Sequence, residues 1–408
     1  MSSNSTSIAS VLEDTIGGVW GDLPGVSEID VLVYRSTEFR NDGTLFHDSA
    51  VTRSVSQKQT ERRSLRPGDI LLEKSGGGPK QPVGRVAWVE DVAGVAVCAN
   101  FVQLVRPDAG VVVPRFLFYI LWFWHQTGRT LEFQAATTGI RNLRTPDYLA
   151  QEMLFPEPEE QERVVAIVDA ATNAMDCAAR YTATLESLGR AQRREAMTGV
   201  SPDVPLETAV DVTMGRQRSP KHAVGEHPTP YLRAANVKDG RLWLDDILVM
   251  NFTPKEQEKY RLVAGDVLVT EGCGSLSQIG ASARWADEMA EVVCFQNTVL
   301  RLRAREGTTD ERFLYHWARW AFESGAFAAV ANGTNIFHIG ATRAAVMDFP
   351  LPSLDDQRRI ADALDAAADA AKAAGSHHQR LVELRVSLLA GLLGYGTAEA
   401  RSVVGVAA

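Results

Sequence analysis

The sequence repeats itself, and this internal repeat constrains the fold of the chain more than any other feature. The segments "LRPGDILLEKSGGG" and "LVAGDVLVTEGCGS" match at an offset of 197 residues (265 − 68, from Gly68 and Gly265). The segments "YRSTEFRNDG", from Tyr34, and "YLRAANVKDG", from Tyr231, share that offset, and "EQERVVAIVD" matches "DQRRIADALD" at an offset of 196. A register kept over about 160 residues predicts two tandem copies of one fold.

Each copy consists of a strand-rich part followed by a long helix. Short apolar runs such as "DILLE" and "DVLVT", separated by glycines, predict strands. Long helices are predicted at about 157–199 and 353–394, each after a proline pair in "FPEPEEQ" or "FPLPSLDDQ". We therefore expect an α+β protein with a first domain at 1–155, a helix at 156–200, a second domain at 201–350, a second helix at 351–396 and a tail at 397–408.

Both long helices carry apolar or small residues at a 4-3 spacing, which is typical of a coiled-coil seam. The seam positions are Val164, Val168, Ala171, Met175, Ala178, Thr182 and Leu185 in the first helix, and Ile360, Leu364, Ala367, Ala371, Ala374, His378 and Leu381 in the second. We expect the two helices to pair antiparallel as a rod of roughly 60 Å, with the domains at its opposite ends. The alternative is that each helix packs only on its own domain.

Composition places the chain among soluble globular proteins, with 45% hydrophobic and 23% charged residues. Four scattered cysteines form no C-x-x-C pair, which argues against a zinc site or a disulfide scaffold and fits a reducing cytoplasm. The start "MSSNSTSIAS" lacks the features of a signal peptide. The apolar run "FLFYILWFW" is shorter than the roughly 20 residues of a membrane span. We expect a cytoplasmic location, no membrane contact and a buried helix at this run.

The sequence lacks the motifs of common nucleotide- and metal-dependent enzymes. In "EKSGGGPKQPVGR", Lys80 is followed by Gln81 and Pro82, so the glycines do not form a P-loop. There is also no N-P-P-Y tetrapeptide and no H-E-x-x-H motif. The adjacent His377 and His378 do not share a helix face, which argues against a metal site. We therefore expect no catalytic residue, cofactor or metal on this chain.

Two similar domains held apart by a rigid spacer suit a ligand that also repeats at a distance. Duplex DNA is such a ligand, because two half-sites lie a fixed number of base pairs apart. The net charge of −9 implies that any grip on DNA is local or is shared with a basic partner.

Together these features resemble the specificity (S) subunit of type I restriction-modification systems, over nearly the whole chain. The resemblance rests on the domain–helix–domain–helix order and on the strands "PGDILL" and "AGDVLV". It also rests on "FPEPEEQ" and "FPLPSLDDQ", on the helix endings "REAMTG" and "LLAGLLG", and on "GGVWGDL" near the start. The order and duplication of these motifs are more specific than any one of them.

The resemblance implies a function and a set of partners. Each domain would be a target recognition domain that reads half of a bipartite, asymmetric site in double-stranded DNA. The helices would fix the unread gap and dock two methyltransferase (M) subunits, which carry the S-adenosylmethionine chemistry. A separate restriction/translocase (R) subunit would use ATP and Mg, and the chain itself would not be catalytic.

Candidate DNA contacts are polar and cationic residues in glycine-rich or repeated segments. In "EKSGGGPKQPVGR", Lys74 and Lys80 would neutralise phosphate, and Gln81 or Arg85 would reach base edges. Its counterpart "TEGCGSLSQIG" keeps the glycines without the cations, as expected for a different half-site. The remaining candidates are Arg35, Thr138, Arg141, Asn142, Arg144, Arg216, Gln217, Arg218, Lys221, Arg233, Thr334, Asn335 and His338. The alternatives are a turn that touches no ligand and solvated surface charges.

Three other readings stay open at the level of sequence. The chain could be the recognition subunit of a related system whose methylase and nuclease are fused on one partner. It could be a free-standing structural or regulatory DNA-binding protein. An enzyme with an unrecognised site is disfavoured, because no polar cluster at catalytic spacing is retained in both copies.

Overall fold

Two mixed domains, each followed by a long helix, make up the part of the chain that the computed structural model describes. The described residues are 5–77, 81–92, 94–137, 140–198, 203–219 and 223–394. By internal contacts the chain divides into unit 1, Met1–Ala178 with His377–Ala408, and unit 2, Ala179–Ser376. The division cuts both long helices, whereas the domain limits inferred from the sequence lie at the helix ends.

The first domain contains twelve strands in its described part, with three helices before the long one. The strands are β1 (Ser5–Ser7), β2 (Leu12–Gly17), β3 (Ile29–Tyr34), β4 (Val51–Val55), β5 (Ile70–Glu73), β6 (Ser75–Gly77), β7 (Val86–Trp88), β8 (Ala96–Cys98), β9 (Val102–Pro107), β10 (Gln134–Thr137), β11 (Ile140–Leu143) and β12 (Glu152–Leu154). The helices are α1 (Gln57–Arg63), α2 (Pro114–Gln126), α3 (Thr145–Leu149) and the long α4 (Pro158–Thr198).

The second domain repeats this plan. Its strands are β13 (Asp203–Pro205), β14 (Val210–Met214), β15 (Pro228–Leu232), β16 (Val237–Lys238), β17 (Arg241–Leu242), β18 (Leu248–Asn251), β19 (Val267–Thr270), β20 (Gly272–Cys273), β21 (Ser282–Arg284), β22 (Cys294–Phe295), β23 (Val299–Ala304), β24 (Phe337–His338) and β25 (Asp348–Pro350). Its helices are α5 (Pro254–Tyr260), α6 (Glu311–Glu323), α7 (Ala326–Val330), α8 (Ala341–Ala345) and the long α9 (Leu354–Leu392).

The two larger sheets of the two domains have the same strand order. The first domain has an antiparallel sheet in the order β2-β9-β5-β7, and the second has β14-β23-β19-β21. A second sheet, β4-β3-β8 or β18-β15-β22, contains one parallel pair in each domain. The apolar helix α2, with residues 116–124 all buried, and its counterpart α6 lie in the cores. The predicted α+β duplication is confirmed.

The repeated "GD" of the strand motif is explained by a buried ion pair. Asp69 accepts the Arg66 main-chain N–H and pairs with Arg106 at 2.7 Å. Asp266 likewise accepts the Val263 N–H and pairs with Arg303 at 2.6 Å. Burial of a carboxylate requires such partners, so each Asp fixes the turn before its central strand.

The glutamine that opens each long helix ties that helix to the core. Gln161 accepts the Val113 N–H at 2.9 Å and donates to the Pro156 carbonyl. Gln357 does the same with the Asp310 N–H and the Pro352 carbonyl. Both side chains are buried, and both hold the start of a long helix at the N-terminus of α2 or α6.

Halves of the two long helices pack antiparallel within each unit. In unit 1, Val164 and Val168 share a core with Val386 and Leu389, and His378 Nδ1 lies 3.1 Å from the Met175 carbonyl. In unit 2, Met197 shares a core with Ala361. All fourteen predicted seam positions are buried or half-buried. The antiparallel coiled coil is confirmed, and the alternative is wrong, because the end of α9 packs in the core of the first domain.

The predicted match of Tyr34 with Tyr231 is wrong by one residue. The Tyr34 carbonyl accepts the Ala99 N–H, and the Leu232 carbonyl accepts the Gln296 N–H, both at 2.8 Å. Since Ala99 and Gln296 match at offset 197, Tyr34 corresponds to Leu232, and Arg35 to Arg233. One extra residue before β15 shifts the local offset to 198.

Helices in the described part of the chain include none with both the length and the apolarity required to cross a membrane.

Candidate DNA interface

Strand pairing brings two candidate segments of the first domain together. Strand β6, in the glycine-rich segment, pairs with β11, which carries Arg141 and Asn142. The Ser75 hydroxyl donates to Asn142 Oδ1 at 2.5 Å. The candidates Lys80 and Thr138 lie outside the described residues. Arg141 and Asn142 therefore lie in one small sheet, β10-β11-β6, and Lys74 directly precedes its strand β6.

Lys74 has a fixed backbone and an unpaired cation. Its N–H donates to the Phe101 carbonyl at 2.9 Å, and its carbonyl accepts the Leu143 N–H at 2.8 Å. Its Nζ lies near Gly17, at the end of β2. Among the residues that the structure describes, no carboxylate pairs with this ammonium. Gln81, in the same glycine-rich segment of the sequence, is exposed.

Arg141, on β11, and Arg144, just after it, each have a polar partner within the first domain. Arg141 donates to Gln134 Oε1 at 3.3 Å. Arg144 is exposed, donates to the Glu132 carbonyl at 2.7 Å and lies 3.3 Å from Asp147. An exposed ion pair such as that of Arg144 with Asp147 contributes little to stability, so Arg144 can exchange this partner for phosphate.

Arg85 is held inside the first domain. Its guanidinium pairs with Glu73 at 2.9 Å and donates to the carbonyls of Ser36 and Phe39. This set of acceptors joins three segments of the domain. The position of Arg85 is that of a structural residue behind the candidate surface.

Arg35 stands at the end of β3, one third exposed. Its Nη2 donates to Glu38 Oε1 at 2.7 Å and to the Ser49 carbonyl at 3.1 Å. Burial raises the pKa of Glu38, but hydrogen bonds from Arg35 and Thr37 outweigh it, and the net pKa of this carboxyl is lowered. The Arg35 guanidinium is thus fixed in orientation beside the candidate surface.

The second domain forms the equivalent strand pair with different chemistry. Strand β20 pairs with β24, which carries His338. The main-chain N–H groups of Glu271 and Gly272 donate to the Thr298 carbonyl, as those of Lys74 and Ser75 do to Phe101. A carboxylate therefore replaces the lysine, and Glu271 Oε2 lies 3.1 Å from His338 Nδ1. Thr334 and Asn335 are exposed just before β24.

The remaining candidates of the second domain divide into buried and exposed groups. Arg216 is buried, pairs with Glu256 at 2.9 Å and donates to the Asn251 carbonyl. Arg233 pairs with Asp246. Gln217 and Arg218 are exposed after β14, and Lys221 lies outside the described residues. The structure does not bring Arg216 to the surface that contains Thr334 and Asn335.

Two aromatic residues beside Lys74 were missed by sequence reasoning. Trp20 is half-buried, with the Arg53 guanidinium 4.2 Å from its ring centroid, and Phe101 is 52% exposed. Both line one pocket with Arg35. The sequence does contain a signal for Trp20. Gly18 and Gly215 match in the two copies, and this match aligns Trp20 with Gln217, a residue of different chemistry.

Polar contacts that hold the fold are retained in both copies. Besides the two Asp–Arg pairs above, Asp169 contacts Arg115 and Tyr119, and Asp365 contacts the equivalent Arg312 and His316. Each set joins a core helix to a long helix and thereby holds the fold. Over the described ranges, no three His, Cys, Asp or Glu side chains are grouped to bind a metal ion.

Two α+β domains of one topology, with paired long helices and differing surfaces at equivalent sites, define a class: the fold of type I restriction-modification specificity subunits. No protein-family model matches the chain. A chain from a structure on complex assembly and conformational transition of the type I R-M system matches 96% of this chain and 97% of its own length, with a TM-score of 0.64 and 16% identity.

Two individual relatives, both type I specificity subunits, are similar to this chain in sequence. The StySPI specificity subunit of Salmonella potsdam is 25% identical over 138 residues, which is 33% of this chain and 28% of the relative. The EcoKI specificity subunit of Escherichia coli (strain K12) is 24% identical over 166 residues, 40% of this chain and 34% of the relative. The match thus spans about a third of each relative's length. The similarity to type I specificity subunits that the motifs indicated is confirmed.

Proposed function

We propose that the chain is the DNA-recognition subunit of a type I restriction-modification complex. The observation that carries this proposal is a duplicated backbone with unlike side chains at equivalent surface positions, as at Lys74 and Glu271. A protein that reads two different half-sites needs one scaffold with two contact chemistries. Similarity in sequence and fold to specificity subunits supports the same function.

The DNA contact set that we propose keeps every candidate from the sequence except Arg85 and Arg216. In the first domain these are Arg35, Lys74, Lys80, Gln81, Thr138, Arg141, Asn142 and Arg144. In the second domain they are Gln217, Arg218, Lys221, Arg233, Thr334, Asn335 and His338. Arg85 and Arg216 are left out, because their guanidinium groups are bound inside the domains.

The long helices are proposed to fix the gap between the half-sites and to dock two methyltransferase subunits. Equivalent leucines support two docking positions: Leu188 on α4 is 51% exposed and Leu384 on α9 is 48% exposed. They match at offset 196, and one lies in each unit. Exposed apolar side chains repeated at equivalent positions suit two copies of one partner.

The chemistry is proposed to lie on the partners. The methyltransferase subunits would bring S-adenosylmethionine, and a restriction/translocase subunit would bring ATP and Mg. The present chain would supply no catalytic group, and its net charge of −9 fits a DNA grip that is shared with those partners.

Methylation mapping by long-read sequencing tests the proposal. The chain is co-expressed with the methyltransferase encoded beside it, and the control strain lacks only the chain. A methylated bipartite motif with a fixed gap that disappears in the control supports the proposal. A motif that persists in the control means that the methyltransferase reads its own target, and the chain is then a free-standing DNA-binding protein.

A further inference from the structure

A pocket with aromatic walls lies in the first domain beside Lys74. Its volume is about 370 Å³, in the range of small-ligand sites. Trp20 and Phe101 give it a mainly apolar lining, which Arg35, Ser36, Thr37 and Asn100 complete. Resting on the function proposed above, we propose that this pocket receives a single base of the first half-site that has left the DNA stack.

The pocket is part of the surface that would hold the DNA backbone. The Phe101 carbonyl accepts the N–H groups of Lys74 and Ser75 at 2.9 and 3.3 Å. An added Cβ on Gly76 would lie only 3.5 Å from the Phe101 ring. Phe101 is therefore anchored to the glycine-rich segment that carries the unpaired Lys74. A phosphate neutralised by this lysine places its nucleotide next to the pocket.

The aromatic residues of the pocket suit the flat face of a base, and its polar residues suit the edge of the base. A flat π-face stacks on aromatic side chains whatever the base. The edge of the base requires donors and acceptors. Glu38 and the Ser49 carbonyl hold Arg35 through Nε and Nη2, and its Nη1 has no hydrogen bond within the described part of the chain. Asn100 is exposed, and its amide can donate and accept.

The second domain lacks the aromatic walls at the same place. An added Cβ on Gly18 would lie 2.0 Å from the Ala99 carbonyl oxygen, and one on Gly215 would lie 2.2 Å from that of Gln296. These close approaches fix the equivalence of Trp20 with Gln217. The shared carbonyl contacts described above fix that of Phe101 with Thr298. The base pocket therefore belongs to the first half-site alone.

The test measures binding of the full complex, the chain with its methyltransferase partner, to duplexes with one abasic position placed opposite each base of the site in turn. Loss of its pairing partner lowers the cost of extruding a base. Apart from the bases that the partner methylates, we expect one position in the first half-site where binding tightens about 10-fold. Phe101→Leu and Trp20→Leu should abolish this gain and leave Kd at the other positions nearly unchanged.

A matched control comes from the repeat. Thr298→Ala, at the position equivalent to Phe101, should leave the gain intact. The inference is overturned if no position in the first half-site shows a gain, or if Phe101→Leu weakens binding equally at every position, since Phe101 then contacts an intact duplex. Methylation that does not depend on the chain would instead overturn the proposed function, so the two failures can be told apart.

Discussion

Lys74 and Glu271 occupy the same place in the two copies but carry opposite charges. The lysine ammonium has no carboxylate partner within the described residues, whereas the glutamate is buried against His338 and the Gly340 N–H. One backbone thus presents a free cation in one domain and an internally satisfied anion in the other.

Replacing Lys74 and Lys80 with alanine should weaken DNA binding and its dependence on salt. Each lost phosphate contact removes about one unit from the slope of log K against log salt. The measurement is a salt titration of DNA binding by the assembled complex, with Lys255→Ala on helix α5 as a control that removes a positive charge at another exposed position. An unchanged slope would assign the glycine-rich segment to a turn that touches no phosphate.

His316 makes the second domain sensitive to acid. Burial lowers the pKa of His316 to about 4, against the opposing effect of Asp365. The folded state therefore binds this proton less tightly than the unfolded state. The stability that neutral His316 contributes is complete above about pH 6.5 and is lost as the pH falls towards 4.

The first copy supplies the variant that tests this pH dependence. Tyr119 stands at the position of His316, and burial raises its pKa to about 12, so it stays neutral in acid. His316→Tyr should reduce the fall in the free energy of unfolding between pH 7 and pH 5, measured by urea denaturation. His377→Tyr, at an exposed histidine, is the control. An identical fall in wild type and His316→Tyr would show that other groups cause the acid sensitivity.

At the residue scale, the sequence identifies side chains with suitable chemistry but does not show which partners they have in the fold. Arg85 and Arg216 were candidate DNA contacts because of their residue type and their place in the sequence. Their partners, Glu73 and Glu256, lie 12 and 40 positions away (85 − 73 and 256 − 216), and only the folded sheet brings them together. The aromatic walls of the pocket were missed for the same reason, since Trp20 and Phe101 lie far apart in the sequence.

At the scale of elements, the long helices and their seams were predictable because their period is local. Every seam residue from Val164 to Leu381 was placed by the 4-3 spacing alone, and the buried helix α2 by its composition. The pairing of β6 with β11 was not predictable, because it joins residues 75–77 to 140–143 across many elements. Because the chain repeats, the same pairing recurs in the second domain, between β20 and β24.

Lengthening a long helix should change the gap between the half-sites. Four residues inserted after Ala178 add about 6 Å of helix, equivalent to at most about two base pairs. We expect the methylated motif to keep both halves and to gain one or two unread base pairs, as read by methylation mapping. An insertion of four residues in the tail after residue 396 should leave the motif unchanged. Retained activity with the original gap would exclude the helices as the spacer.

At the scale of the whole molecule, the exposed leucines on the long helices predict the stoichiometry of the complex. A single charge at Leu188 or Leu384 should remove one methyltransferase subunit, because burial of an unpaired carboxylate at an interface is costly. Native mass spectrometry should show two methyltransferases on the wild type, one on Leu188→Asp or Leu384→Asp, and none on the double variant. Glu195→Ala, at an exposed position of α4, is the control. Two bound subunits on the double variant would place the docking sites elsewhere.

The division of the chain into units has a consequence for its synthesis on the ribosome. Unit 1 is closed by residues that begin at His377, about 200 residues after the first half of α4 has been made. At about 5–20 residues per second, Val164 and Val168 wait roughly 10 to 40 seconds for Val386 and Leu389. Unit 2 has no such delay, because its two helix halves flank one continuous segment. The nascent chain therefore completes unit 2 before unit 1, and the uncovered half of α4 is the segment on which a chaperone would act.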